Sequence, residues 1–153
     1  MSEMLTAHNT GLRKQVGRST AGVHCLIELY GCPYELLNDE QFVSRAVETT
    51  AQITSSTLLK IVSCRFYPQG VTALGLLAES HISIHTWPEA GYAAADIFTC
   101  GKLSAPRAGC EYLRKCFKAT RCDIHSVRRG QGGGRGLNVI REPRFAGLSP
   151  LGY

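Results

Sequence analysis

Residues 81 to 85 read His-Ile-Ser-Ile-His, with Glu79-Ser80 directly before them and Thr86-Trp87-Pro88-Glu89 directly after. Side chains alternate between faces along a strand, so His81, Ser83 and His85 share one side. Two imidazoles and a hydroxyl on one face can gather a metal, move protons or activate a nucleophile. Each of these chemistries makes a further demand. A zinc site shows three or four ligands, and Asp96 and Glu89 qualify only if a hairpin folds them inward, so no metal is expected. A serine hydrolase of the elbow type needs Gly-x-Ser-x-Gly, which does not surround Ser80. The run Gly130-Gln131-Gly132-Gly133-Gly134 lacks the spacing and context of a dinucleotide fingerprint. A core strand has little use for so many polar groups, so packing alone does not account for the segment.

The elements that must hold these residues follow from periodicity and turn chemistry. Val23 to Tyr30 reads as a buried strand ended by Gly31-Cys32-Pro33. Asn38, with Gln41 three places on, predicts a helix start, and Phe42, Val43, Ala46, Val47 and Ala51 recur at helical spacing. Leu58 to Phe66 returns to strand character, and Pro68-Gln69-Gly70 makes a turn before the apolar run Val71 to Ala78. Ser80 to Thr86 and Tyr92 to Phe98 read as strands separated by the turn Pro88 to Gly91. A second helix is predicted from Pro106 to about Lys118, with Cys110, Leu113 and Phe117 facing inward. Cys122 to Val127 is a last strand before a Gly/Arg-rich stretch.

The resulting order is strand, helix, three strands, helix, strand. Short turns between the central strands demand antiparallel pairing. The predicted class is α+β: a two-layer α/β sandwich, mainly antiparallel, with its helices on one face. The bare face needs a partner, which predicts pairing into a four-layer αββα homodimer.

Composition sets the limits. A chain of 153 residues with 44% hydrophobic residues forms one compact domain rather than two. It divides into a polar lead-in over residues 1–20, a folded unit over 21–130 and a tail over 131–153. No apolar run is long enough to cross a bilayer and no secretory signal is visible, so a cytoplasmic protein with no membrane partner is expected. The seven cysteines form no Cys-x-x-Cys pair and read mostly as small buried hydrophobes. The net charge of +5 is concentrated in the last third, where eleven Lys or Arg face Glu111, Asp123 and Glu142. A solvated basic face explains this as well as a nucleic acid partner does.

The longer string from Ala78 to Gly101, A-E-S-H-I-S-I-H-T-W-P-E-A-G-Y-A-A-A-D-I-F-T-C-G, resembles the bacterial S-adenosylmethionine decarboxylases, which are self-cleaving pyruvoyl enzymes. Further similarity lies in Gly22-x-His24, in Glu28-Leu29-Tyr30-Gly31-Cys32 and in Phe66-x-Pro68-Gln69-Gly70-Val71. The resemblance spans residues 22 to 130.

It implies that the Ser80 hydroxyl attacks the carbonyl of Glu79, turning the peptide into an ester. Loss of the serine Cα proton then expels the ester carboxylate, and hydrolysis of the dehydroalanine leaves a pyruvoyl group at position 80. The resemblance also implies His85 as processing base, Thr72 as supporting hydroxyl and Cys100 as the proton donor of turnover. The pyruvoyl group would form a Schiff base with the substrate amine and act as electron sink, so no pyridoxal phosphate is expected. Phe66, Trp87, Glu89 and Glu28 are implied near the substrate, where aromatic rings and carboxylates suit an adenosyl sulfonium. The product would feed spermidine synthesis.

The sequence departs from the family with Gly22-Val23-His24 for the usual Gly-Arg-His, Cys64 for a frequent His, a longer N-terminal lead-in and an unusual stretch from Arg128-Arg129-Gly130 through Gly136. It leaves two alternatives open. One is a pyruvoyl decarboxylase of free arginine or ornithine on the same scaffold. The other is an RNA-binding module built on the Gly/Arg tail.

Overall fold

The computed structural model describes residues 21–78, 80–100, 105–130, 138–141 and 145–146. The lead-in over 1–20, Glu79, Gly101 and the Gly/Arg stretch 131–137 lie outside the described residues.

Among the described residues, eight strands form one antiparallel sheet. These are β1 (Gly22–Tyr30), β2 (Leu58–Arg65), β3 (Val71–Leu77), β4 (His81–Trp87), β5 (Tyr92–Cys100), β6 (Arg121–Arg129), β7 (Asn138–Arg141) and β8 (Phe145–Ala146). Their spatial order is β2-β3-β4-β5-β1-β6-β7, with β8 also paired to β6. β2 to β5 follow one another as a meander, whereas β1 is inserted between β5 and β6 and is paired with both along its whole length. The predicted class holds, with four additions. The apolar run at Val71 is a strand, so four strands rather than three separate the main helices. Two short strands extend the sheet into the segment read as a tail. A single helical turn, α1 (Tyr34–Leu37), precedes the first long helix, and a 3-10 turn occupies Pro88–Ala90.

The long helices, α2 (Glu40–Ile53) and α3 (Pro106–Cys116), cover one face. α2 buries Val43, Ala46, Val47, Thr50 and Ala51, the stripe expected at helical spacing. Its cap is Asp39, whose carboxylate accepts from the Phe42 N–H at 3.0 Å. The predicted cap, Asn38, accepts instead from the Gly70 N–H at 3.1 Å and ties the helix start to the β2–β3 turn. Two adjacent residues competed for one role, and the tertiary contact decided it. α3 begins at Pro106 as predicted, and Cys110, Leu113 and Phe117 are fully buried beneath it. Burying each such apolar side chain contributes about 1.5–3 kcal/mol. Gly75 lets α2 approach the sheet, since a Cβ there would stand 2.6 Å from Val47 Cγ1.

Strand alternation sorts the other side chains. Val71, Ala73, Leu77, Ile82, Ile84, Ala93, Ala95 and Ile97 point to the helices and are buried. The opposite face carries Val62, Leu74, Leu76 and Leu26, all exposed, beside the polar residues of β4 and β5. This open face holds every chemistry-bearing group that the sequence singled out on a strand. Cysteines 25, 32, 110 and 122 are buried as expected, and burial pushes Cys32 up to about 12 and Cys122 up to about 11. Cys64 departs from that reading: it is exposed on edge strand β2, opposite Thr72.

Candidate active site

The open face has two ends of different chemistry, set by the direction of β4. At its start the β3–β4 hairpin closes with the Leu77 N–H donating to the Ser80 carbonyl at 3.0 Å. Ser80 therefore belongs to the turn rather than to the strand, and the alternation that separates it from the polar face does not bind it. Its Oγ lies 3.3 Å from His81 Nδ1.

Register then assembles the neighbours. Phe98 of β5 stands opposite both His81 and His24, and Asp96 stands opposite Ser83. Asp96 Oδ2 is 2.8 Å from His81 Nε2 and 2.8 Å from His24 Nε2, while Oδ1 accepts from the Ser83 hydroxyl. Beyond them, Arg129 Nη1 lies 3.4 Å from His24 Nδ1, and its guanidinium sits 4.3 Å over the Phe98 ring. β5 ends at this same side of the sheet on Cys100. Gly22 opposite leaves room for that thiol, because a Cβ there would approach Cys100 Sγ to 2.7 Å.

Burial opposes ionisation of Asp96, but hydrogen bonds from Ser83, His24 and His81, with the charge of His81, outweigh it and hold its carboxyl below the usual aspartate range. The three atoms His24 Nε2, His81 Nε2 and Asp96 Oδ2 lie within 4.8 Å of one another, close enough to gather round a cation. As they stand, each is satisfied within the hydrogen-bond chain. Asp96 thus does fold inward as the metal reading required, but it meets His81 and His24 rather than His85.

The far end of β4 is different in character. Thr72 Oγ1 is 2.9 Å from His85 Nδ1, and the two residues are register partners on β3 and β4. Ring contacts run along β4 from His85 to Trp87 at 6.5 Å and then across the strands, Trp87 to Tyr92 at 5.2 Å and Tyr92 to Tyr30 at 5.3 Å. The Arg121 guanidinium caps the row 3.9 Å from the Tyr30 ring. Tyr92 donates its phenol to Glu28, and burial followed by that acidic neighbour raises the phenol's pKa. Glu89 accepts from Gln69 Nε2 at 3.0 Å, and Phe66 stays half exposed at the end of β2.

The residues expected to act together are thus divided. Ser80 and Cys100 sit at one end, with Thr72, His85, Trp87 and Glu28 at the other. His81 and His85 are four residues apart on a regular strand, a separation of roughly 13 Å, and Ser80 is farther still. The sequence reading did not select His24, Tyr30, Tyr92, Arg121 or Arg129. The available signal was Gly22-x-His24 and the Tyr92 that follows Gly91, but nothing in the sequence showed that β1 runs beside β5.

Comparison with known proteins gives the family. The family model described as S-adenosylmethionine decarboxylase matches residues 23–130. An S-adenosylmethionine decarboxylase proenzyme of Prochlorococcus marinus (strain MIT 9313) is 51% identical over 108 residues, covering 71% of this chain and 86% of that protein. A proenzyme of the same name from Parasynechococcus marenigrum (strain WH8102) is 48% identical over 122 residues, 80% of this chain and 94% of its own. Among solved structures, the adenosylmethionine decarboxylase of Aquifex aeolicus VF5 superimposes with a TM-score of 0.70 at 32% identity, covering 77% of this chain and 98% of that one. The chain belongs to the S-adenosylmethionine decarboxylase family.

Proposed function

We infer that this chain is a proenzyme that cleaves itself between Glu79 and Ser80 and then decarboxylates S-adenosylmethionine, using a pyruvoyl group derived from Ser80. The observation that carries the reading is the position of Ser80 in a hairpin turn, its hydroxyl against an imidazole and Cys100 at the same end of the sheet. A nucleophile placed beside its own peptide bond, with a base in reach, suits an internal acyl shift. The catalytic unit is residues 21–130, and the family match over 23–130 supports that boundary.

The pyruvoyl group would supply the electron sink for loss of carbon dioxide. The surrounding residues do the rest. Cys100 returns a proton to the substrate carbon, and Gly22 keeps its thiol free to point there. Trp87 and Phe66 offer flat apolar surface to the adenine, and Glu89 and Glu28 offer carboxylates to the ribose diol and the sulfonium. Thr72 and His85 form the supporting pair for processing.

The two ends act on one substrate when two chains pair through their open faces. A two-fold axis through the middle of the face carries His85 and Thr72 of one protomer to Ser80 and Cys100 of its partner. The exposed Val62, Leu74, Leu76 and Leu26 give that pairing an apolar centre, and the product is the four-layer αββα dimer. Seven free thiols suit the reducing cytoplasm. Among the described residues no helix is long and apolar enough to cross a membrane.

Intact-mass measurement of the purified protein tests the reading, together with release of labelled carbon dioxide. The expected result is two fragments, the C-terminal one lacking a free amino end, and turnover of S-adenosylmethionine but not of arginine or ornithine. Release of carbon dioxide from arginine or ornithine alone would overturn the substrate. A single uncleaved chain that still decarboxylates would overturn the cofactor.

A further inference from the structure

We propose that His81 is the base that takes the proton from the Ser80 hydroxyl in the first step of self-cleavage, with Asp96, His24 and Arg129 as the residues that set its tautomer. The inference rests on the self-cleaving reading above and assigns a step that His85, held at the other end of β4, does not reach within its own chain.

The tautomers can be read from the donors. Arginine only donates, so the Arg129 N–H makes His24 Nδ1 an acceptor. His24 then carries its proton on Nε2 and gives that hydrogen bond to Asp96 Oδ2. Asp96 also accepts from Ser83 and from His81 Nε2, which leaves His81 Nδ1 as a lone pair facing the Ser80 hydroxyl. A serine, an imidazole and a carboxylate in line are the arrangement that activates a hydroxyl. The 3.3 Å contact is the looser spacing of a resting nucleophile and base. With its side chain 42% exposed, against 19% for His24 and 20% for Asp96, His81 has room to follow the moving proton.

The step balances without an outside reagent. As Oγ bonds to the carbonyl carbon of residue 79, its proton passes to His81 Nδ1. The carbon–nitrogen bond then breaks, and the imidazolium returns the proton to the departing nitrogen of Ser80. An amide becomes an ester and a free amine, with no net change in protons or electrons. The Asp96 carboxylate stabilises the imidazolium while it exists.

The test uses the full chain, with wild type, His81→Ala and Asp96→Asn purified in parallel. Cleavage is followed by intact mass, ester by its lability to hydroxylamine, and fold by circular dichroism. A wild type that stays whole removes self-cleavage itself, and the role of His81 with it. With wild type cleaving, His81→Ala should fold, cleave at least ~100-fold more slowly, accumulate no ester and regain rate on addition of imidazole. Co-assembly with a Ser80→Ala chain should not rescue it, because His81 acts on the serine of its own chain. Asp96→Asn should remain folded by circular dichroism and cleave about tenfold more slowly. Cleavage of His81→Ala at the wild-type rate overturns the assignment, and so does an intact His81→Ala chain that accumulates ester. Should His81→Ala fail to fold, wild-type cleavage by Asp96→Asn overturns it equally.

Discussion

Ser80 and His85 belong to one short stretch of chain, yet they sit in neighbourhoods built for different work. Around Ser80 the face is polar and continuously hydrogen-bonded, from the serine through His81, Asp96 and His24 to Arg129. Around His85 it is aromatic, a row of rings ending under Arg121. The first neighbourhood orders protons, and the second offers flat surfaces with a carboxylate at hand. A regular strand fixes the distance between them, so under the proposed function neither neighbourhood completes a site within one chain. The sharpest way to break this comparison is to mix chains. Ser80→Ala alone should remain whole and inactive, and His85→Ala alone should remain whole as well. Co-expressed, the Ser80→Ala chain lends its His85 to the intact serine of the other, and fragments from the His85→Ala chain should appear by mass. If they do not, the two ends serve the same chain and β4 must deform.

Cys100 gives the next largest effect. It lies at the Ser80 end but has no part in the hydrogen-bond chain that begins there, so processing and turnover should separate. Cys100→Ala is expected to cleave normally and then turn over at least ~100-fold more slowly, the usual contribution of a positioned proton donor. Single-turnover kinetics on the cleaved protein measure this directly. Equal losses in cleavage and turnover would place the thiol in both steps.

The two faces of the sheet can be contrasted in the same manner. Leu113 is wholly buried under α3, and Leu113→Ala should cost about 2–5 kcal/mol in denaturant unfolding. Leu74 is 46% exposed on the open face. In the proposed dimer a lysine there would face a second sheet, so Leu74→Lys should weaken association ~100-fold or more while leaving the isolated chain folded. Specific activity should then fall on dilution, with ultracentrifugation showing the loss of dimer. A Leu74→Lys protein that stays dimeric would move the interface off this face.

The sequence made much of this legible, and the limits have physical causes. Alternation placed His81, Ser83 and His85 on one side because a period of two survives any tertiary context. Pro106 marked the start of α3 because its fixed φ suits only a first turn. The choice between Asn38 and Asp39 was not legible, since both cap well and a turn thirty residues away claimed one of them. Val71 to Leu77 is apolar on both sides except at Thr72, which hides the alternation that marks a half-buried strand. His24 was the largest omission. Its partnership with Asp96 depends on β1 lying between β5 and β6, and long-range order of that kind leaves no local trace.

The smallest expected effect concerns the carboxylate at the centre of the polar end. Burial opposes its ionisation, but hydrogen bonds and the charge of His81 outweigh burial and hold Asp96 below its ordinary range in the folded chain, whereas in the unfolded chain it titrates at about pH 4. The unfolded state therefore takes up this proton first as the pH falls. The stability that the carboxylate contributes is complete above that value and is lost as the pH drops through the folded one. Asp96→Asn has no such proton to take up. Melting temperatures measured from neutral pH into acid should thus fall more steeply for wild type than for Asp96→Asn, with the curves converging at the acid end. Parallel curves would mean that the carboxylate is not held as an anion by its three donors, and the tautomers assigned to His24 and His81 would lose their anchor.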